Sequence, residues 1–283
     1  MSSAKTPEDL TITPRDRRFG RNGGQRRWWL NGDPVATAFY NALSVTFPKG
    51  EAYFVESVRA HREGTPPALE GEINAFIRQE VNHSREHVAF NRHVTDQGYD
   101  VARLDADVDA ALALTKGRPP IANLAATMAL EHFTAMLAHE LLANPRHLDG
   151  ADQEAARMWR WHAVEEIEHK GVAYDTWLHA TRHWPRRRRW IVRSLVMLRT
   201  TKRFVHGRTR GILELLRQDG LHGPRLWGRV FHHAFVSPGI VRRIGPAWLG
   251  YFRPGFHPWR HDDRPLIAGA DGDLPPQSLA EPA

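Results

Sequence analysis

The sequence predicts an all-α protein, a four-helix bundle with additional C-terminal amphipathic helices. Three observations predict it. Four long segments carry apolar residues at helical spacing, each marked by proline or glycine at its ends, and nothing between them alternates with the period of two that a half-buried strand needs. Each of the four also sets acidic or imidazole side chains among its apolar ones. Beyond Pro185 the composition changes to arginine interleaved with Trp, Phe and Leu.

The elements follow in order. Residues 1–30 are rich in Arg, Gly and Ser with little periodicity, and read as an arm that lies on the body or is disordered. Residues 31–185 form the bundle. Its first helix opens at Asp33-Pro34, an N-cap followed by proline at the first helical position. It carries Phe39, Leu43 and Val45, breaks at Pro48-Lys49-Gly50 and resumes from Glu51 through Phe54, Val55 and Val58. Thr65-Pro66-Pro67 opens the second, which runs to about Gln97-Gly98 on a stripe of Ile73, Phe76, Ile77, Val81 and Val88. Pro119-Pro120 opens the third, through Leu124, Met128, Phe133 and Leu137 to Asn144-Pro145. The fourth runs from Asp149-Gly150-Ala151-Asp152 to Trp184-Pro185. Residues 186–260 hold four shorter amphipathic stretches, Trp190 to Leu198, Ile212 to Leu216, Trp227 to Phe235 and Ile240 to Leu249, read as an extension packed on the bundle. Residues 261–283, rich in Pro, Gly, Asp and Ala, read as a disordered tail. No run of about 18 apolar residues marks a membrane span, and the polar N-terminus lacks the apolar core of a signal peptide.

Cysteine is absent, which excludes disulfides, zinc ribbons, iron–sulfur clusters and thiol nucleophiles together. Any metal must then be held by nitrogen and oxygen. A chain without cysteine fits a reducing cytoplasm, the expected location. Charge is unevenly placed: residues 181–260 carry 18 Lys and Arg against two acids, Glu214 and Asp219, for a net +16, while the rest of the chain nets −9.

The chemistry lies in the bundle. In the second helix Glu80, His83 and His87 are spaced i, i+3 and i+7, on one face. In the fourth, His162, Glu166 and His169 repeat the Glu-x-x-His spacing with a histidine four residues earlier. The first helix offers Glu51, in competition with Glu56, and the third offers Glu131 among apolar neighbours. The order Glu, Glu-x-x-His, Glu, Glu-x-x-His, one set per helix, builds a dinuclear carboxylate site in a bundle core. Two divalent ions bring four positive charges into a dry interior, four carboxylates neutralise them, and imidazoles add nitrogen ligands without charge. A single Glu-x-x-His usually marks a solvated face; two, each with an added histidine and a preceding glutamate helix, do not arise readily by accident. Glu86, Glu165 and Glu168 read as surface charges, and His132, His139 and His179 as ordinary bundle histidines. His139-Glu140-Leu141-Leu142-Ala143 starts like a zincin helix but has alanine where the second histidine belongs. No Gly-rich phosphate loop or serine nucleophile elbow supports another chemistry.

These segments carry a resemblance. The pattern resembles the ferritin-like di-iron proteins, and FPKGE, QEVNHSREH, ALEHFTA and HAVEEIEHKGVAYD resemble a bacterial family of predicted metal-dependent hydrolases over roughly residues 12–260. Gly250-Tyr-Phe-Arg-Pro-Gly-Phe-His-Pro-Trp belongs to the same resemblance. More distantly, His162, Glu166 and His169 are similar to a motif of the p-aminobenzoate N-oxygenases, di-iron enzymes with a third histidine on the last helix. His87 has no counterpart in that ligand set; it is read as an added ligand, a hydrogen-bond partner of one, or a pocket residue.

The expected function is a non-haem di-iron oxidoreductase that activates dioxygen on an organic substrate and draws on an electron donor. Its metals would be two iron ions, with Mn or Zn as alternatives. Glu51, Glu80, Glu131 and Glu166 would be terminal or bridging carboxylates, and His83, His162 and His169 nitrogen ligands. The alternatives are a dinuclear metal-dependent hydrolase and a non-catalytic iron-binding or oxygen-sensing protein. For the basic region, packing on the bundle ranks first, peripheral contact with an anionic membrane through residues 181–260 second, and nucleic acid third.

Overall fold

The structure is a computed structural model that describes residues 5–20 and 26–271. Among the described residues there are eleven α-helices and no strand, apart from an isolated bridge between Leu30 and Ala151. Helix α1 is Pro34–Ser44, and the Asp33 carboxylate caps it by accepting from the Val35 N–H at 2.8 Å. Helix α2 is Phe47–Arg59. The chain breaks at Val45-Thr46, and not at Pro48-Lys49-Gly50 as the sequence predicts. Proline is tolerated in a first helical turn, where its missing N–H has no partner to lose, so Pro48 starts α2 and Glu51 sits inside it.

Helix α3 (Pro67–Asp96) and α5 (Pro120–Ala143) span the bundle, and α4 (Ala102–Ala113) fills what reads in sequence as a loop. The fourth segment is two helices, α6 (Gln153–His169) and α7 (Val172–Ala180), parted at Lys170-Gly171. Glycine is needed at this break, because a Cβ on Gly171 would meet Thr6 Oγ1 at 2.7 Å and the Trp259 ring at 3.0 Å. Helix α2 packs on α3 and α5, and α6 packs on α5 and α3, closing a ring of four helical segments.

The C-terminal region is more regular than its sequence predicts. The first two amphipathic stretches merge into one 33-residue helix, α8 (Arg186–Gln218), which lies across α1 and α5 on Met197, Ile212, Leu215 and Leu216. Helix α9 (Pro224–Phe231) continues into a π turn over His232–Val236, and α10 (Ile240–Gly250) packs on α5. The tail expected to be disordered instead forms α11 (Arg264–Asp271) against α6; residues 272–283 lie outside the described residues. Helix α5 is long and apolar enough to cross a membrane by length and composition alone, yet 67% of its most apolar window is buried in the protein, as a core helix would be.

Two apolar clusters flank the bundle's middle. One gathers Trp29, Tyr40, Phe90, Trp159 and Trp161; the other Phe76, Met128, Phe133, Trp177 and Tyr251. On α2 Glu51 falls between Phe47 of one and Phe54 of the other, and on α3 Glu80, His83 and His87 fall between Phe90 and Phe76. The α3 stripe therefore corrects the sequence reading: Val81 and Val88 are 57% and 42% exposed, while Glu80, His83 and His87 take the inner face.

Candidate metal centre

Each of the four bundle segments sends a carboxylate into this middle layer. Glu51, Glu80, Glu131 and Glu166 are at most 3% exposed, and His83, His87, His162 and His169 are equally buried. Glu56 is exposed, so the first-helix carboxylate in the cluster is Glu51. His169 Nε2 lies 3.2 Å from Glu80 Oε1, 3.5 Å from Glu131 Oε2 and 3.5 Å from Glu166 Oε2. His83 Nδ1 lies 3.8 Å from Glu80 Oε1 and 3.6 Å from Glu166 Oε1. Ligand atoms of Glu80, Glu131 and His169 fall within 4.8 Å of one another, as do those of Glu51, Glu80 and His83, and those of His83, His162 and Glu166. Glu80 and Glu166 thus stand between two donor groups, one toward Glu131 and His169, the other toward Glu51 and His83.

The fit to metal is visible in the atoms that make no hydrogen bond. They are Glu51 Oε1, both oxygens of Glu80 and of Glu131, Glu166 Oε2, His83 Nδ1 and His169 Nε2, all fully buried. An unsatisfied buried carboxylate costs several kcal/mol, roughly, and native interiors rarely leave one so. Here the unsatisfied atoms converge, and the opposite atom of each imidazole is held. His83 Nε2 meets Glu165 Oε2 at 3.0 Å, His169 Nδ1 meets Gln79 Oε1 at 3.0 Å, and Ser84 Oγ donates to Glu51 Oε2 at 2.7 Å. Metal-ligating imidazoles are oriented in this way, with the far nitrogen bonded to a carboxylate or carbonyl-type oxygen.

Electrostatics agree. Burial, with mutual repulsion among the carboxylates, pushes Glu80 and Glu131 well above the usual carboxylate range; burial pushes Glu51 up likewise, against the Ser84 hydrogen bond. Glu166 is buried too, but nearby His169 and the hydrogen bond with His162 hold it well below that range. Burial, reinforced by His162, keeps His83 and His87 neutral far below the usual imidazole value. Neutral imidazoles and carboxylates that must otherwise hold protons are the donor set that divalent cations would discharge.

His162 and His87 form a branch off this cluster. His162 Nε2 is 2.8 Å from Glu166 Oε1, His162 Nδ1 is 2.6 Å from His87 Nε2, and His87 Nδ1 is 2.8 Å from Ser44 Oγ. His162 stacks on His83 with ring centroids 4.2 Å apart, and Phe47 covers both His87 and His162.

The chain belongs to the predicted metal-dependent hydrolase family. The family model matches residues 13–262. No curated protein matches it, and no solved structure does. The matched span of the family holds every residue of the cluster together with the arm residues that brace it. Metal dependence is thus indicated twice, by the family and by the His and Glu groups themselves.

Those bracing residues are what the sequence reading missed. Glu165 and Glu168, expected at the surface, are 0% and 3% exposed, and Glu86 is 1% exposed. Each is covered by the arm. The Arg15 N–H donates to Glu165 at 2.7 Å, the Thr13 N–H to Glu168 at 3.0 Å and the Phe19 N–H to Glu86 at 2.9 Å. Gln79 Nε2 also donates to Glu168 at 2.7 Å, so both imidazoles are steadied through carboxylates gripped by the arm. The signal in sequence is faint: a polar residue beside each Glu-x-x-His, at Gln79, Glu165 and Glu168, on a helix buried on both sides. A further group, His139, His261 and Asp263, lies near the surface, where Asp263 pairs with Lys170 and ties the start of α11 to the bundle.

Proposed function

We propose that this protein is a dinuclear metal-dependent hydrolase acting on an apolar organic substrate. The observation that carries the dinuclear reading is the convergence of eight unbonded, buried ligand atoms from six side chains. In this reading Glu80 and Glu166 would serve both metals, Glu131 and His169 would help hold one, and Glu51, His83 and His162 the other. A metal pair would lower the pKa of a water and polarise the bond to be cut. The chain's own residues do the rest. A narrow cleft between α1, α5 and α6 is walled by Phe39, Leu43, Leu137, Leu141 and Ile240 and ends on His162 and Glu166. Its free volume is about 30 Å³, too little for a bound organic molecule, so substrate entry would need the cleft to widen, and its mainly apolar walls would then favour an apolar chain over a polar one.

A second reading, oxidation of the substrate by dioxygen at two iron ions with electrons from a donor, is favoured by the carboxylate-rich ligand set. Four anionic oxygens donors stabilise the higher charge of an oxidised metal, which a hydrolase does not require. The deciding experiment begins with protein purified without oxygen and analysed for metal. Zn- or Mn-supported cleavage of an apolar ester or amide, with ferrous protein inert to oxygen, supports hydrolysis. Oxygen uptake by the ferrous protein with a transient visible absorption, and no cleavage with Zn or Mn, replaces it with the oxidative reading.

A further inference from the structure

The C-terminal end of the molecule leaves large apolar side chains in water. Trp227, Phe231 and Phe235 follow one another at four-residue steps along α9 and its π turn, and are 54%, 60% and 42% exposed. The Phe231 and Phe235 rings stack with centroids 4.9 Å apart. Val236 follows them at 52% exposed, and Leu249, at the other end of α10, is 63% exposed. An aromatic side chain presents on the order of 150–250 Å² to bury, so a row of three with an aliphatic neighbour is a contact surface and not ordinary scatter.

The charge around this row has one sign. Between Gly220 and His261 the chain has six arginines and no acidic residue. Arg225, Arg229 and Arg242 are exposed in the same elements. Arg229 reaches Asp33 at 3.1 Å and Arg243 reaches Glu140 at 3.3 Å, which pins both sides of the patch to the bundle. A second copy of the chain would bring arginine against arginine. A nucleic acid would satisfy the arginines and stack on the aromatics, but Val236 offers no π face. An anionic bilayer takes all three kinds of group, with phosphates for arginine, the interfacial zone for Trp and the acyl region for Phe and Val.

We propose that the α9 and π-turn face of this protein docks on an anionic lipid bilayer, with Trp227, Phe231, Phe235 and Val236 inserted among the lipids and the arginines at headgroup level. The docking face also borders the apolar cleft: Ile240 at the start of α10 lines it, and Phe39 of its wall touches the His233 ring of the π turn at 5.7 Å.

The test is flotation of the full chain with vesicles of phosphatidylcholine alone and of phosphatidylcholine mixed with phosphatidylglycerol, at low and high salt. Binding is expected to the mixed vesicles, steeply weakened by salt. A Trp227→Ser/Phe231→Ser variant should lose about tenfold or more of this binding. Its metal content and melting temperature should match wild type, so a failed docking surface is told apart from a failed metal centre. If that variant melts early, Phe235→Ser, on the same exposed row, is read instead. Absence of binding to the mixed vesicles at low salt overturns the proposal. Binding that ignores the apolar substitutions also overturns it, as simple charge adsorption, and so does tighter binding to duplex DNA than to vesicles.

Discussion

His87 Nε2 and His162 Nδ1 stand 2.6 Å apart, and only one of these nitrogens can carry the proton between them. The rest of the chain decides which. Asn91 Nδ2 donates to the Ser44 carbonyl at 3.2 Å, which turns Asn91 Oδ1 toward the Ser44 hydroxyl, its donor at 2.7 Å. Ser44 Oγ has then spent its proton and must accept from His87 Nδ1, so His87 Nε2 is bare and accepts from His162 Nδ1–H. The consequence is that His162, with Nδ1 committed to His87, turns only Nε2 toward Glu166 and the cluster, so Nε2 is the nitrogen a metal would take.

From this follows the first prediction, which separates the two histidines. His162→Ala should lose one of two bound metals while the bundle stays folded. His87→Ala should keep both but weaken the second by about 10–100-fold, the usual cost of removing a partner that orients a ligand. Metal titration followed by elemental analysis checks it. Loss of a metal in His87→Ala with full retention in His162→Ala would move the ligand to α3.

Arg15 gives the second. Its guanidinium holds both oxygens of Glu168 at 2.7 and 3.1 Å, and its N–H holds Glu165. The Arg15 side chain is 12% exposed and those of Glu165 and Glu168 are 0% and 3%, so little water could replace it. Burial raises Glu165 to about 8 even with Arg15 opposing. Arg15→Ala should therefore cost about 3–5 kcal/mol in denaturant unfolding, the range for stripping one partner from a buried ion pair. It should also loosen metal binding, because Glu165 positions His83. An exposed control, Arg18→Ala, should change neither by more than about 0.5 kcal/mol.

Much of this site is legible in the sequence, and the boundary of legibility has physical reasons. Glu80 and Glu166 declare themselves because the i, i+3 and i+4 spacings fix a helix face whatever the tertiary contacts, whereas Glu131 is legible only from its apolar neighbours and Glu51 only in competition with Glu56. Helical phase alone could not tell which face of α3 turns inward, since Val81 and Val88 offer an apolar stripe that the buried Glu80, His83 and His87 override. Glu165 and Glu168 read as surface charges because their cover comes from Thr13 and Arg15, some 150 residues earlier in the chain. Nothing local distinguishes a glutamate facing water from one facing an arm. The helix-length errors have a similar source: α8 is continuous through Thr200-Thr201-Lys202 because its buried side rests on α1 and α5, and α6 parts from α7 at Gly171, where Thr6 and Trp259 leave no room for a Cβ.

A third prediction uses the repulsion inside the cluster. Neither oxygen of Glu131 makes a hydrogen bond, and its carboxyl is pushed up by burial and by Glu166 and Glu51. Glu131→Gln removes a carboxyl that burial forces to hold a proton unless metal replaces it, and keeps the shape. The metal-free variant should be more stable than metal-free wild type at neutral pH, by about 1 kcal/mol or more, while the gain on adding metal should shrink. Paired thermal melts with chelator and with metal check both signs. A variant destabilised in both states would instead mark Glu131 as a structural carboxyl.

The last prediction concerns pH, and the signs can be worked out group by group. Glu51, Glu80 and Glu131 hold their protons well above the ordinary 4.5 in the folded protein, and Glu165 does so up to about 8. For each, the folded state binds more protons than the unfolded one between those two values. Their contribution to stability is complete below 4.5 and is lost as pH rises through the folded value. Glu166 is shifted down, so its contribution is complete above 4.5 and is lost only in acid. His83 and His87, also shifted down, contribute fully above their ordinary 6.5 and lose it as pH falls below. Above pH about 7 the histidine and Glu166 contributions are constant, and only the raised carboxylates still change. The metal-free protein should therefore melt at progressively lower temperature from pH 7 to pH 9. Metal replaces those protons, so its binding releases them and tightens over the same interval. The melting increment produced by metal should widen with pH, with proton release measurable in a weakly buffered titration. An increment that stays flat from pH 7 to pH 9, without proton release, would mean that these carboxylates are already ionised and balanced by something other than metal.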